Sequence, residues 1–583
     1  MEFKANGITF KSDSSYKVTL TSAKEAADYL KIGIHIDFGE KTTPEPTVIT
    51  WEFPSCDIFS RWNPGSWLEH SLNPDWSPAK SASRSAQWAP VKTHLSLSGK
   101  NRLTVALTDV RTPLELSSGI YEENAKLRYK LTLFTQQISA ISEYDTYLIL
   151  DMREIPYSEA IKDVQKLWTE CGYACAHVPE EATRPMYSTW YSYHQQLERK
   201  TLIAELKLAK ELGMETVIVD DGWQTIDGSR GYAYCGDWEP ERLPDMKELV
   251  REVHSLGMKY MMWYSVPFVG KYSKAWERFR GKYLDYSGEE CRWCVLDPRY
   301  PEVRDYLIST YENAVSGWKL DGLKLDFIDS FRLTEYSAKP NADMDYESLE
   351  DAVCALLSET KKRLLKINPE ILIEFRQGYM GPVMLTCGNM IRVADCPGDP
   401  LKNRAGSLSL RLTSGSCAVH SDMLMWNYGD SVQSAALEII SILFSVPQIS
   451  VLIEKLPEEH YKMLRFYLDF WNKNRDCLIF GNLTAKNPEA NYSIALTETD
   501  TELAAVSFSK NVLETEKIYD KLSFVNGSWD DELLIKNSGG AYSAEIVIYD
   551  CMGNITEQKT AVLENGYNIF NVPCSGLVQV IKN

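Results

Sequence analysis

The sequence predicts an α/β protein, a (β/α)8 TIM barrel flanked by an N-terminal β-sandwich and a C-terminal β-sandwich, on three observations. The apolar pattern has a period of two in the first third of the chain, changes near Arg184, and returns to a period of two after Trp471. Between those points eight β-rich apolar runs alternate with helical stretches. Polar and charged residues gather at the carboxy ends of these runs, the face on which barrels build their sites.

Residues 1–178 contain short alternating runs such as YKVTLT, NRLTVALTD and KLRYKLTLFT, separated by Gly, Pro, Ser and Asn. That pattern predicts an antiparallel sandwich, with an apolar helical stretch from Ser158 to Cys171 leading into the next domain. Residues 179–478 hold the eight barrel runs: MYSTWYS, ETVIVDD, KYMMWYS, GLKLDFID, ILIEFRQ, MIRVADC, CAVHSDML and PQISVLI. Two of the intervening stretches, LERKTLIAELKLAKELG and LPDMKELVREVHSLG, end in Gly just before the next strand, as a helix terminus does. A doubly wound sheet would need a Gly-rich phosphate loop after its first strand, and none is seen. Residues 479–583 alternate again, in NYSIALTE, ELAAVSFS, SAEIVIYD and LVQVIKN, and predict a small antiparallel β domain.

At 583 residues the chain is too long for one core, and its 44% hydrophobic and 25% charged composition is that of a folded soluble protein. A formal charge of −19 disfavours nucleic acid and anionic membrane surfaces, which would repel it, while a neutral substrate is compatible. No basic segment followed by an apolar core opens the sequence, and no run is long enough to span a bilayer. Thirteen scattered cysteines make an awkward disulfide framework, so a reducing, cytoplasmic location is expected. Cys291 and Cys294 have half of a zinc spacing without a second pair, and His420 with Asp422 lacks a second His at ligand spacing; no metal is expected. Sixteen Trp and 32 Tyr exceed what cores need, and ring faces suit the C–H faces of sugars.

The strand ends bring Trp190, Asp220, Asp221, Trp263, Lys324, Asp326, Arg376, Arg392 and Asp395 toward one mouth. Lys324 and Asp326 stand two apart on one strand and share a face, so the ammonium keeps the carboxylate ionised, as a nucleophile requires. Asp220 and Asp221 can accept hydrogen bonds from neighbouring hydroxyls, or cap the next helix. Glycosyl transfer with retention needs two carboxyl groups about 5 to 5.5 Å apart. Asp326 is one; Asp395, held by strand geometry, is preferred as the other, and Asp399 in the following Pro/Gly loop is its rival. Arg392 could hold Asp395 in place.

On VDDGWQ at 219–224, GMKYMMW at 257–263, VLDPRYPEVRDYL at 295–307 and GLKLDFID at 322–329, the sequence resembles glycoside hydrolase family 36 and its clan, the α-galactosidases and raffinose-synthase-like enzymes. The resemblance runs over essentially the whole chain. It implies Asp326 as nucleophile, Asp220 and Asp221 as ligands to sugar hydroxyls, Lys324 and Arg392 as sugar or carboxylate contacts, and no metal or organic cofactor. The implied reaction is hydrolysis of a terminal α-linked galactose or a related sugar from an oligosaccharide or other α-glycoside by double displacement. An α-galactosyl transglycosylase and a noncatalytic carbohydrate-binding protein are the alternatives, and a homo-oligomer is compatible with all three.

Three segments depart from the family pattern. EFRQGYMGP at 374–382 replaces a Cys-Ser-Gly-Gly-rich turn after the fifth strand, WYSVPFVG at 263–270 replaces Trp-x-Glu-Pro-Glu, and Asp395 follows Arg392 by three positions instead of four. Arg376 should enter the pocket on the face of Glu374, there to read an acceptor-rich substituent or to brace Glu374 or Asp326. Trp62, Trp67 and Trp76 are candidates for an aromatic that reaches over the mouth.

Overall fold

A computed structural model describes residues 1–583. The eight runs form one parallel sheet: β1 (Met186–Ser188), β2 (Thr216–Val219), β3 (Lys259–Ser265), β4 (Gly322–Asp326), β5 (Leu372–Arg376), β6 (Met390–Arg392), β7 (Ala418–His420) and β8 (Gln448–Ile449). Sequential strands are neighbours, and β8 pairs with β1. The sheet closes where Val446 N–H donates to the Val419 carbonyl (2.8 Å) and Ser421 N–H to that of Val446 (3.0 Å), joining β7 to the start of β8.

The helices follow the strands: α1 (Arg199–Glu211), α2 (Met246–Ser255), α3 (Pro301–Trp318), α4 (Leu349–Ile367), the single-turn α5 (Pro382–Leu385), α6 (Pro400–Thr413), α7 (Val432–Ser441) and α8 (Glu458–Arg475). α3 starts with Pro301 in its first turn, where a missing N–H costs nothing. The buried Asp297–Arg299 pair (2.7 Å) just upstream ties that entry to the Ala338 carbonyl, so the DPRYP motif is scaffold. Ser348, Asp399 and Ser431 cap α4, α6 and α7 through their side-chain oxygens.

Alternation along the strands divides the barrel into two chemistries. Leu323, Leu325, Ile373 and Phe375 point outward and join the large core beneath the helices. Inward, a small apolar plug of Met186, Ile218, Met261, Leu372, Met390 and Ala418 fills the amino-terminal end. Above it the interior is polar: Lys324, Asp326, Glu374, Arg392, His420 and Gln448 are all buried.

Before the barrel, two six-stranded antiparallel sheets enclose a separate core that includes Ile32, Ile34, Trp51, Leu103, Val105 and Leu131. After the barrel, a seven-stranded and a three-stranded sheet enclose a third core around Phe524, Ile535 and Ile546. The sequence pattern predicts a wholly antiparallel unit here, and the structure corrects it. Glu502–Ser507 runs parallel to Lys521–Asn526, and Val512–Thr515 parallel to Leu533–Asn537. The chain alternates between the two sheets in this region, so strands that become neighbours in one sheet point the same way.

The first sandwich docks on the barrel mouth through the loop that follows β5. Trp88 N–H donates to the Gly378 carbonyl (3.1 Å), and Arg84 reaches the carbonyls of Phe331 (2.6 Å) and Asp329 (3.0 Å) and the Glu350 carboxylate (3.1 Å). A Cβ at Gly381 would overlap the Trp88 carbonyl oxygen. Gly381→Ala should therefore cost about 2 kcal/mol or more, a lost close approach in a packed seam. Thermal unfolding checks this, and an unchanged midpoint would mean the seam is loose.

Candidate active site

Asp326 ends β4 and is almost fully buried. Its Oδ1 accepts three hydrogen bonds, from Arg376 Nε, Tyr379 Oη and its neighbour Phe327 N, each at 2.8 Å. Oδ2 accepts one, from Trp263 Nε1 at 2.9 Å. Burial alone would raise this carboxyl's pKa, but Arg376, Lys324, the Trp263 N–H and Arg392 outweigh it and hold the group well below the usual carboxylate range.

Lys324, two residues earlier on the same face, donates to Asp220 Oδ2 at 2.5 Å instead of to Asp326. The short pair is buried on both sides; burial alone would lower the Lys324 ammonium's pKa, but the Asp220 carboxylate beside it raises it above the ordinary value. Asp221 lies beside it with both oxygens taken, one by Gln195 Nε2 and the other by Gln224 Nε2, each at 2.7 Å. Burial pushes Asp221 up to about 6, because carboxamides supply less compensation than a cation.

Arg392 on β6 is completely buried and faces three carboxylates. It pairs with Asp422, donates to Asp395 at 2.8 Å, and lies 3.8 Å from Glu374. Asp422 also accepts from Tyr191 Oη (3.0 Å) and Cys396 N (2.6 Å). Asp395 is the open member, with 51% of its side chain exposed. Burial raises its pKa, yet Arg392, Lys324 and Arg376 together hold it below the ordinary value.

The other predicted residues fall as follows. Asp399 caps α6, accepting from Lys402 N at 3.0 Å, so its carboxylate is engaged in the scaffold. Arg376 enters the mouth and braces Asp326 rather than Glu374, whose partner is Gln448. Trp263 lies against the same carboxylate, and Trp190 is half-buried at the end of β1 with the Arg230 guanidinium 5.7 Å from its ring. Trp62 is fully buried and donates to Ser409 (3.4 Å), Trp67 packs beside the Met380 and Leu385 cluster, and Trp76 is exposed and bonded to Glu122 (3.1 Å). His420 faces the Ala182 carbonyl (2.8 Å) and Gln448 (3.2 Å), and burial lowers it to about 4, so it is a neutral structural group. All 13 cysteines are free, and no helix is long and apolar enough to cross a membrane.

Sequence reasoning missed Tyr191, Gln195 and Tyr232. Tyr191 and Gln195 sit in the β1–α1 connection, where only position after a strand end marks them. Tyr232 stacks on Trp263 (6.5 Å between centroids) and touches Phe268, Phe327 and Trp293, forming an aromatic wall from the carboxylate outward. Its long loop carries no periodic signal that places it.

These features define a (β/α)8 barrel protein with an acidic, cation-braced mouth between two β-sandwich units. Residues 177–384 match the melibiase family model. Alpha-galactosidase 2 of Pediococcus pentosaceus is 26% identical over 206 residues, 34% of this chain and 28% of that protein. The alpha-galactosidase of Escherichia coli is 25% identical over 260 residues, 43% of this chain and 34% of that protein. The chain thus spans about a third or less of the curated relatives it matches. In solved structures the likeness is longer. An alpha-galactosidase from Lactobacillus brevis superposes with a TM-score of 0.64 at 15% identity, covering 100% of this chain and 87% of that one. The GH36 alpha-galactosidase AgaA from Geobacillus stearothermophilus, in complex with 1-deoxygalactonojirimycin, gives 0.63 at 14% identity, covering 99% and 84%. At such identity these structures establish the shared fold.

Arg392 makes the site's most consequential ion pairs. Arg392→Met should destabilise the fold by about 3–5 kcal/mol, because Asp422 would be left as a buried carboxylate without its cation and Glu374 with Lys324 alone. Both already have pKa values raised by burial, so without Arg392 they would rise further. The deficit should be full at neutral pH and shrink as pH falls and the two groups protonate. Urea unfolding at pH 7 and at pH 5 measures both, and a deficit that grows on acidification contradicts the pairing.

Proposed function

We propose that this protein is a retaining α-galactosidase, acting on a terminal α-linked galactose or a closely related sugar. The observation that carries the reading is Asp326: a buried carboxylate at a barrel strand end, held ionised by surrounding donors, with the half-exposed Asp395 across the mouth. The match to the melibiase family model and the similarity to alpha-galactosidases support the substrate class.

Asp326 attacks the anomeric carbon while Asp395 protonates the departing oxygen; water, activated by Asp395, then releases the sugar. Asp395 must carry a proton in the first step, although Arg392 holds it low in the free protein. A sugar seated over this exposed side chain removes its water and raises its pKa toward protonation. Asp220 presents a carboxylate, fixed by Lys324, to sugar hydroxyls. Asp221, its oxygens engaged by two carboxamides, orients that segment and offers its remaining lone pairs.

Asp326→Ala should lower turnover of an aryl α-galactoside by at least about 10³-fold, with azide restoring part of it as a galactosyl azide. Asp395→Asn should spare activated aryl substrates and fail on oligosaccharides, whose leaving groups need the proton. Undiminished activity in Asp326→Ala sinks the assignment.

Because Arg376 braces the nucleophile, Arg376→Ala should slow all α-galactosides together, by roughly 10- to 100-fold for a lost charged hydrogen bond. A change confined to 2-substituted or acidic glycosides would instead make Arg376 a substrate reader.

A further inference from the structure

The two oxygens of Asp326 are not equivalent. Oδ1 holds three donors and has no direction left for a bond to carbon; Oδ2 holds the Trp263 N–H alone and keeps a free lone pair. Tyr379 makes the difference at Oδ1 together with Arg376. Its hydroxyl is buried, its ring lies edge-on to Phe375 (6.1 Å between centroids), and the Arg376 guanidinium lies 5.4 Å from the ring. Nothing in the mechanism so far uses it.

We propose that Tyr379 is a positioning residue which, with Arg376, anchors Oδ1 of Asp326 and thereby makes Oδ2 the attacking oxygen and a better leaving group. The inference rests on the reading of Asp326 as the nucleophile. In the first step an Oδ2 lone pair bonds to the anomeric carbon as the glycosidic C–O bond breaks, and the departing oxygen takes the Asp395 proton. In the second, a water oxygen bonds to that carbon, its proton passes to Asp395, and the C–Oδ2 pair returns to Asp326. Negative charge then develops on the carboxylate, where the Tyr379 donor stabilises it. The same donor weakens the carboxylate as an attacker, so the second step gains more than the first.

Tyr379→Phe is the test. The charged and titratable groups facing Asp326 are Arg376, Lys324, Arg392, Asp395, Asp329 and Tyr232, and all of them remain in the variant. With an aryl α-galactoside bearing a good leaving group, steady-state turnover should fall roughly 10-fold while a first-turnover burst of aryl product appears. Losing a donor raises the pKa of a depressed carboxyl, so the acid limb of kcat/KM should move up by roughly one pH unit. The Asp326 carboxyl carbon, titrated by NMR and assigned with Asp326→Asn, should move with it.

Equal losses in kcat and kcat/KM, without a burst and with an unmoved acid limb, would overturn the proposal and leave Tyr379 a packing residue. If the Phe variant fails to fold, 3-fluorotyrosine placed at position 379 keeps the shape and strengthens the donor, and the acid limb should then move down; an unmoved limb overturns the proposal. A wild-type protein that turns over no α-galactoside removes the reading above it. The clamp is then decided by the NMR titration, where an unmoved Asp326 signal in Tyr379→Phe overturns it.

Discussion

The barrel mouth depends on the neutralisation of charge that, Asp395 apart, is withdrawn from water. Six carboxyl groups, Asp220, Asp221, Asp326, Glu374, Asp395 and Asp422, share three cations, Lys324, Arg376 and Arg392. Isolated, each buried charge would cost several kcal/mol. The shortage of cations is met unevenly. Asp326 and Asp395 are held below their ordinary pKa, while Asp221, Glu374 and Asp422 are raised by burial. Carboxyl groups whose surrounding cations and donors outweigh burial stay low, and the others rise.

That electrostatic arrangement rests on the two-layer interior. The apolar plug at the amino-terminal end gives the polar side chains above it a buried floor. The closing contacts between β7 and β8 complete the ring on which Asp422, Gln448 and His420 stand. Opposite them, the first sandwich holds the loop carrying Gln377 to Gly381 through Trp88. Tyr379 lies in that loop, so the outer unit helps to hold the group that grips Asp326.

The segments after the third and fifth strands shape the two sides of this setting. After the fifth strand the chain sends Arg376 and Tyr379 onto the Asp326 carboxylate. After the third it has Phe268, which joins Tyr232 and Phe327 in an aromatic wall.

The sequence alone determined the order of elements and the inward face of each barrel strand, because period and alternation are local properties. Lys324 with Asp326, and Glu374 with Arg376, share faces for that reason. Partner choice was decided only by tertiary structure. Lys324 reaches Asp220 across the barrel, Arg376 reaches Asp326 from the next strand, and Asp399 turns to cap α6 while Asp395 stays at the mouth. Each of these pairings joins residues from different strands or depends on where a loop turns, and barrel closure sets those distances. No local pattern in one strand encodes the charge that will face it from another.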